Sequence, residues 1–297
     1  MNVPYELINC VERCREVVVS LLRLREVAVD LEGLELCRSG KGCIIQVATP
    51  SSVMLFDITD MGPAAFTNGR LKELLEGPVC KVLCDGRGDS HALHTGYGIQ
   101  LASCYDLKFS RESDRFIKGF YQILESAAVV SECQLEQLKA VKDAGRGLFS
   151  NEAGGSEAVW EERPLRQELL EYAAADVAYL LSVKQKWSSY SLDGLVRDRT
   201  CQCLEDVICN GWTPSRDNAF RDFSLEGGEV SKRVWKSRAR GSLDLETDDE
   251  GFGSDYVDDY EELLMEYGEA VAHVASASGL EGKALRDYAE WLEGKDW

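Results

Sequence analysis

The chain has 297 residues, enough for one sizeable α/β domain and an appendage, and its 44% hydrophobic content can support a core. No apolar run reaches the ~18 residues of a membrane-spanning helix, and the apolar patch Val17–Leu22 is not followed by a small-residue cleavage pattern, so neither membrane insertion nor secretion is expected. The formal net charge of −19 excludes bulk positive charge as a means of holding nucleic acid; much of the excess falls in residues 191–297, with 25 acids against 12 bases.

In chain order, residues 26–107 read as strands and short helices in turn. Val27-Ala28-Val29-Asp30 is a short buried-type strand. Ile44-Ile45-Gln46-Val47-Ala48 is a second, after the Gly40-Lys41-Gly42 turn, and Val53 to Asp57 is a third. Their tight spacing predicts an antiparallel meander. Gly69 to Glu76 reads as a helix stopped by Gly77-Pro78, Lys81 to Leu83 as a fourth strand, Asp89 to His94 as the opening of a helix, and Leu101 to Leu107 as the site of a fifth strand.

From Ser113 the pattern turns helical. Gln134 to Val141 is a helix, residues 143–159 are glycine-rich and read as a loop, and Leu165 to Trp187, entered through Pro164, is the longest helix of the core. Strands interleaved with helices in this order predict a sheet flanked by helices. Past residue 190 the composition changes. A basic cluster (Lys232, Arg233, Lys236, Arg238 and Arg240) precedes 10 acids in residues 244–262, which read as a flexible linker, and Tyr256 to Trp291 reads as two short helices. The domain division is thus 1–190 for the core and 191–297 for an acidic, partly helical extension.

The 11 cysteines are odd in number and scattered through apolar segments, as expected for reduced thiols of an intracellular protein of the cytoplasm or nucleus. Cys201-x-Cys203 with Cys209 lacks a fourth zinc ligand at usual spacing.

Three short patterns carry chemistry. Asp30-x-Glu32 puts two carboxylates on one face of a strand, where they pair, protonate or bind a hard cation such as Mg²⁺ or Mn²⁺. Taken alone, the pair is read more simply as solvated acids at a strand end. Asp89 follows the apolar run Lys81-Val82-Leu83 and the turn Cys84-Asp85-Gly86-Arg87-Gly88; alone it reads equally well as a helix N-cap. Tyr172-x-x-x-Asp176 puts both side chains on one helix face, with three alanines between them leaving room for a close approach; taken alone, it reads more simply as a tyrosine packed on the core with an exposed aspartate beside it.

The order Asp-x-Glu, Asp, Tyr-x-x-x-Asp resembles the three exonuclease motifs of the ribonuclease D superfamily, in its tyrosine-bearing branch. The flanking residues strengthen the match: Val29-Asp30-Leu31-Glu32-Gly33 with Ile44-Ile45-Gln46-Val47-Ala48, and Trp160-x-x-Arg163-Pro164-Leu165 ahead of Tyr172. Asp85-Gly86-Arg87-Gly88-Asp89-Ser90, with Tyr97-Gly98-Ile99 and Tyr105-Asp106, is most similar to the Egalitarian-like subgroup. The resemblance covers roughly residues 20–190.

It implies a ribonuclease-H-like α/β fold, a five-stranded mixed sheet flanked by helices, and two bound divalent cations, Mg²⁺ or Mn²⁺. Asp30 would bridge both ions, Glu32 and Asp176 would hold the one that activates water, and Asp89 would support the second. Tyr172 would position the nucleophile before acting as a base, because a free tyrosine pKa of ~10 makes it a weak base near neutrality. The implied activity is 3′-5′ hydrolysis of single-stranded nucleic acid with a free 3′ end, RNA favoured, releasing nucleoside 5′-monophosphates. Arg87 is an expected phosphate contact or an exposed turn arginine. Trp160 and Arg163 are expected to brace the active-site loop or to meet substrate, and Asp106 to support a strand end. The competing expectation is an RNA-binding adaptor on the same fold. The acidic tail is expected to be a solvated linker, with docking of a basic protein partner the sharper alternative.

Overall fold

A computed structural model describes residues 4–36, 41–110, 119–188 and 190–210. The acidic linker, the basic cluster and the two terminal helices expected from the sequence lie outside the described residues.

The strands are β1 (Tyr5–Ile8), β2 (Glu26–Leu34), β3 (Lys41–Ala48), β4 (Val53–Asp57), β5 (Cys80–Leu83) and β6 (Cys104–Asp106). They form one sheet in the order β1-β4-β3-β2-β5-β6. The meander β2-β3-β4 is antiparallel, as its spacing predicts, while β1 joins β4, β5 joins β2, and β6 joins β5 in parallel. The sheet thus has six strands and not five. The added strand, β1, is a four-residue edge strand with only Ile8 buried, so it carries almost no hydrophobic alternation to read. The crossover from β1 to the meander runs through α1 (Val11–Leu21), whose Cys14, Val18 and Leu21 are buried at helical spacing.

Strand alternation assigns the two faces. Val27, Val29 and Leu31 of β2 face a core shared with Ile45, Val47, Met54 and Phe56, closed by α1, α2 (Ile58–Met61), α3 (Leu71–Glu76) and α4 (Arg87–Tyr97). Ala28 of β2 faces the second core with Ile44, Ala48, Val53 and Leu55, closed by α5 (Phe120–Ala127), α6 (Glu132–Phe149), α7 (Gln167–Val177) and α8 (Leu180–Trp187). Asp30 and Glu32 continue the Ala28 side of the strand, so period 2 alone aims both carboxylates at α7.

Two helices differ from their expected extents. The helix expected over 134–141 is α6, which runs on to Phe149 through Gly145 and Gly147. Glycine weakens a helix by roughly 1 kcal/mol relative to alanine, which is why this stretch reads as loop; here packing overrides the propensity. The single helix expected over 165–187 is two, α7 and α8, parted at Ala178-Tyr179 with no glycine or proline to mark the break. Past residue 190, α9 (Tyr190–Asn210) packs against α4 and β6 with Val196, Thr200 and Leu204 buried.

Candidate active site

Register explains why the carboxylates meet. β5 pairs with β2 only from Glu26 to Ala28, and the chain leaves the sheet after Leu83. Asp30 therefore lies beyond the end of its parallel neighbour, in the crevice past the strand's carboxyl end. Into that space α4 delivers Asp89 at its third position, following the cap residue Gly86. Across the same face α7 packs on β2, β3 and β4 and brings Asp176 from its last turn.

Ligand oxygens of Asp30, Glu32 and Asp176 all lie within 4.8 Å of one another. Asp89 is buried at 8% exposure, with its carboxyl beside that of Asp30. Burial, then the Asp176 carboxylate, push the Asp30 carboxyl up to about 7, against the pull of the Lys142 ammonium. Burial, then the charges of Asp30 and Glu32, push Asp89 well above the ordinary carboxylate range. Acids this crowded repel one another, and an all-oxygen, all-carboxylate donor set matches a hard divalent cation such as Mg²⁺ or Mn²⁺. The residues fit such an ion.

Tyr172, one turn before Asp176, is held on several sides. The Phe149 ring meets it edge-on at 5.0 Å and the Trp160 ring at 6.2 Å between centroids. Gly145 of α6 lies directly against it, close enough that a methyl there would come within 2.5 Å of the tyrosine Cβ. The ring itself is 3% exposed.

The three other sequence-derived residues sit behind this cluster. Arg87, expected at phosphate or on an exposed turn, is instead 1% exposed and bidentate on Asp85 at 2.6 and 2.7 Å. Lys108 joins the same carboxylate at 3.1 Å, and Asp106 accepts from the amides of Asp85 and Gly86 at 3.0 and 2.9 Å. This buried knot ties the end of β6 to the turn that starts α4, the helix that carries Asp89. Arg163 donates to both oxygens of fully buried Asp57, at 2.6 and 2.5 Å, and to the carbonyls of Trp160 and Glu162 at 2.7 and 2.8 Å. Trp160 is 1% exposed. Both lie in the segment between α6 and α7, where Arg163 ties the Trp160 carbonyl to Asp57 of β4.

Two residues enter that the motifs did not mark. Lys142 of α6 makes an ion pair with Asp176, and its Nζ lies 3.1 Å from the Tyr172 ring centroid. It lies on one buried stripe of α6 with Leu135, Leu138, Gly145 and Phe149, of which the sequence reading marked only the two leucines. Gln46 lies opposite Asp30 in the antiparallel register, so it shares that face. It is fully buried, and neither of its side-chain polar atoms has a hydrogen-bond partner among the described residues. Cys203 receives a hydrogen bond from Lys108, and the one group that could hold a metal ion among the described residues is the acidic trio, not the cysteines.

A 3′-5′ exonuclease family model matches residues 5–189. The piRNA biogenesis protein EXD1 of Mus musculus is 34% identical over 245 residues, covering 73% of this chain and 40% of that protein. Its Homo sapiens counterpart is 29% identical over 266 residues, covering 82% of this chain and 50% of that protein. The chain thus spans half or less of the length of these curated relatives. Among solved structures, Trypanosoma brucei RNase D in complex with RNA U12 shares the fold, with a TM-score of 0.60 at 23% identity over 80% of this chain and 79% of that one.

Proposed function

Because the chain belongs to the 3′-5′ exonuclease family, we propose that it hydrolyses single-stranded nucleic acid, RNA in preference to DNA, one nucleotide at a time from a free 3′ end. The observation that carries this reading is the convergence of the Asp30, Glu32 and Asp176 carboxylates within 4.8 Å, with Asp89 beside Asp30. We assign Asp30, Glu32, Asp89 and Asp176 as the holders of two divalent cations, Mg²⁺ or Mn²⁺. Bound there, the cations would supply an activated water and offset charge on the phosphate.

The remaining work falls to the chain. Tyr172, restricted to one ring position by Gly145, Phe149 and Trp160, holds the attacking water in line with phosphorus. Arg163 and Trp160 hold the loop that leads into α7, so that Tyr172 and Asp176 arrive at a fixed height above β2. The turn bound by Asp85, Arg87 and Asp106 does the same for Asp89. RNA as the substrate draws on the kinship with RNase D and with the EXD1 proteins of piRNA biogenesis, and the turn Asp85–Ser90 favours the Egalitarian-like subgroup. The cysteines, odd in number and scattered through apolar segments, favour an intracellular setting, cytoplasm or nucleus. No helix among the described residues is long and apolar enough to cross a membrane. Docking of a protein partner by the acidic tail is part of the same proposal.

The test is product analysis. Single-stranded RNA labelled at its 5′ end, with a free 3′ hydroxyl, is incubated with the full chain and Mg²⁺ or Mn²⁺. The reading expects progressive shortening and nucleoside 5′-monophosphates. A protein that binds this RNA and shortens neither it nor the matching DNA is an adaptor on an exonuclease fold.

A further inference from the structure

Hydrolysis by the carboxylates makes no use of the positive charge lodged among them. Lys142 projects from the middle of α6 across the α6–α7 interface, and its side chain is 11% exposed. Its ammonium contacts Asp176 Oδ1 and sits 3.1 Å from the centre of the Tyr172 ring, so one cation touches both motif residues of α7. It also lies close enough to Asp30 to oppose the rise in that carboxyl's pKa.

Its neighbours along the helix make the choice of residue informative. Leu138 and Phe149 fill the apolar parts of the interface, and Gly145 admits the tyrosine. A leucine or methionine at 142 would fill the same space at no desolvation cost, whereas a buried ammonium is favourable only with a partner in place. The partner it has is a residue that the proposed chemistry needs for a metal ion. A lysine stem has four flexible carbons, so its charge withdraws without moving the helix.

We propose that Lys142 is a built-in counter-cation, which occupies the cation position at Asp176 in the resting protein and gives it up when a divalent ion binds. The proposal rests on the reading of these carboxylates as an ion site. It makes hydrolysis conditional on enough divalent ion to displace a tethered competitor, and it keeps Tyr172 and Asp176 in their working positions until then.

The test measures Mn²⁺ binding to the EDTA-stripped full chain by calorimetry, with no substrate present. Lys142→Gln and Lys142→Met remove the competing charge and are expected to bind Mn²⁺ about tenfold or more tightly than wild type. Lys142→Arg keeps the charge and is expected to bind no more tightly. Equal or weaker binding by the Gln and Met variants overturns the proposal, since a merely structural lysine would loosen Asp176 on removal and weaken the site. Should neither variant fold, the wild type supplies the answer. The Lys142 ammonium resonance, assigned by comparison with Lys142→Arg, must move when Mg²⁺ is added, and an unmoved resonance overturns the proposal. If neither the wild type nor Lys142→Gln binds Mn²⁺, the ion site itself fails and both ideas fall. If both bind with equal affinity, only the counter-cation falls.

Discussion

Gly145 and Tyr172 are in direct contact, with no room between α6 and the tyrosine for a single methyl group: the added carbon would lie 2.5 Å from the Tyr172 Cβ. On an isolated helix Gly→Ala is favourable by about 1 kcal/mol. Here the close contact reverses the sign. Gly145→Ala is expected to destabilise the fold by ~1–3 kcal/mol, the usual cost of overpacking, and to lower hydrolysis by displacing Tyr172. Urea unfolding decides it; a more stable Gly145→Ala contradicts the packing.

Arg163 and Asp57 give a second prediction. Asp57 is 1% exposed on its side chain and depends on Arg163 for a bidentate ion pair. Arg163→Ala leaves that carboxylate buried and poorly compensated, at an expected cost of about 3–5 kcal/mol. The melting temperature should fall accordingly, and Arg163→Ala/Asp57→Asn should recover part of the loss. A loss within the ~0.5 kcal/mol typical of surface substitutions would show that Asp57 has other support.

Gln46 makes the opposite prediction. A buried amide without partners costs roughly 1–3 kcal/mol, so Gln46→Met should leave thermal stability unchanged or raise it. A clear drop in melting temperature would mean that the amide is satisfied in solution, by water or by groups of the site.

The metal-free protein should respond to pH in a defined direction. Burial and neighbouring carboxylates raise the folded-state values of Asp30, to about 7, and of Asp89. Groups raised on folding favour the native state while protonated, so their contribution is complete below the ordinary carboxylate range and is lost as pH rises through about 7. In EDTA the melting temperature should therefore fall from pH 5 to pH 8 by on the order of several °C more in wild type than in Asp30→Asn. Mn²⁺ at pH 8 should restore most of it. Parallel profiles for the two proteins would contradict the crowding of these acids.

Much of the frame was legible because its pattern is local. Val53 to Asp57 is read at the bounds that β4 has, and alternation in β2 already aims Asp30 and Glu32 one way. The convergence of the acids was legible only jointly, since each motif alone has a plainer explanation. What escaped reading was set by partners distant in sequence. Gly145 looks like a helix breaker until Tyr172 is beside it, and Lys142 looks like a surface residue until the chain places Asp176 against it. Arg87 reads equally as a phosphate contact or an exposed turn arginine because nothing local reveals that it is buried on Asp85, whose carboxylate Lys108 shares. β1 went unread because an edge strand of four residues buries too little to leave a pattern.

In the proposed function the Asp30, Glu32, Asp89 and Asp176 carboxylates perform divalent-dependent hydrolysis. That hydrolysis is tested most directly by the rate at which the full chain shortens 5′-labelled single-stranded RNA in Mn²⁺, beside Asp30→Asn, a variant that keeps the shape of the side chain and removes its charge. Hydrolysis by the wild type that EDTA abolishes is expected, with a loss of ~10³-fold or more in Asp30→Asn and RNA binding retained, comparable to removing a group that stabilises the transition state. Equal rates for the two proteins, or a wild-type rate indifferent to EDTA, would contradict the proposed function.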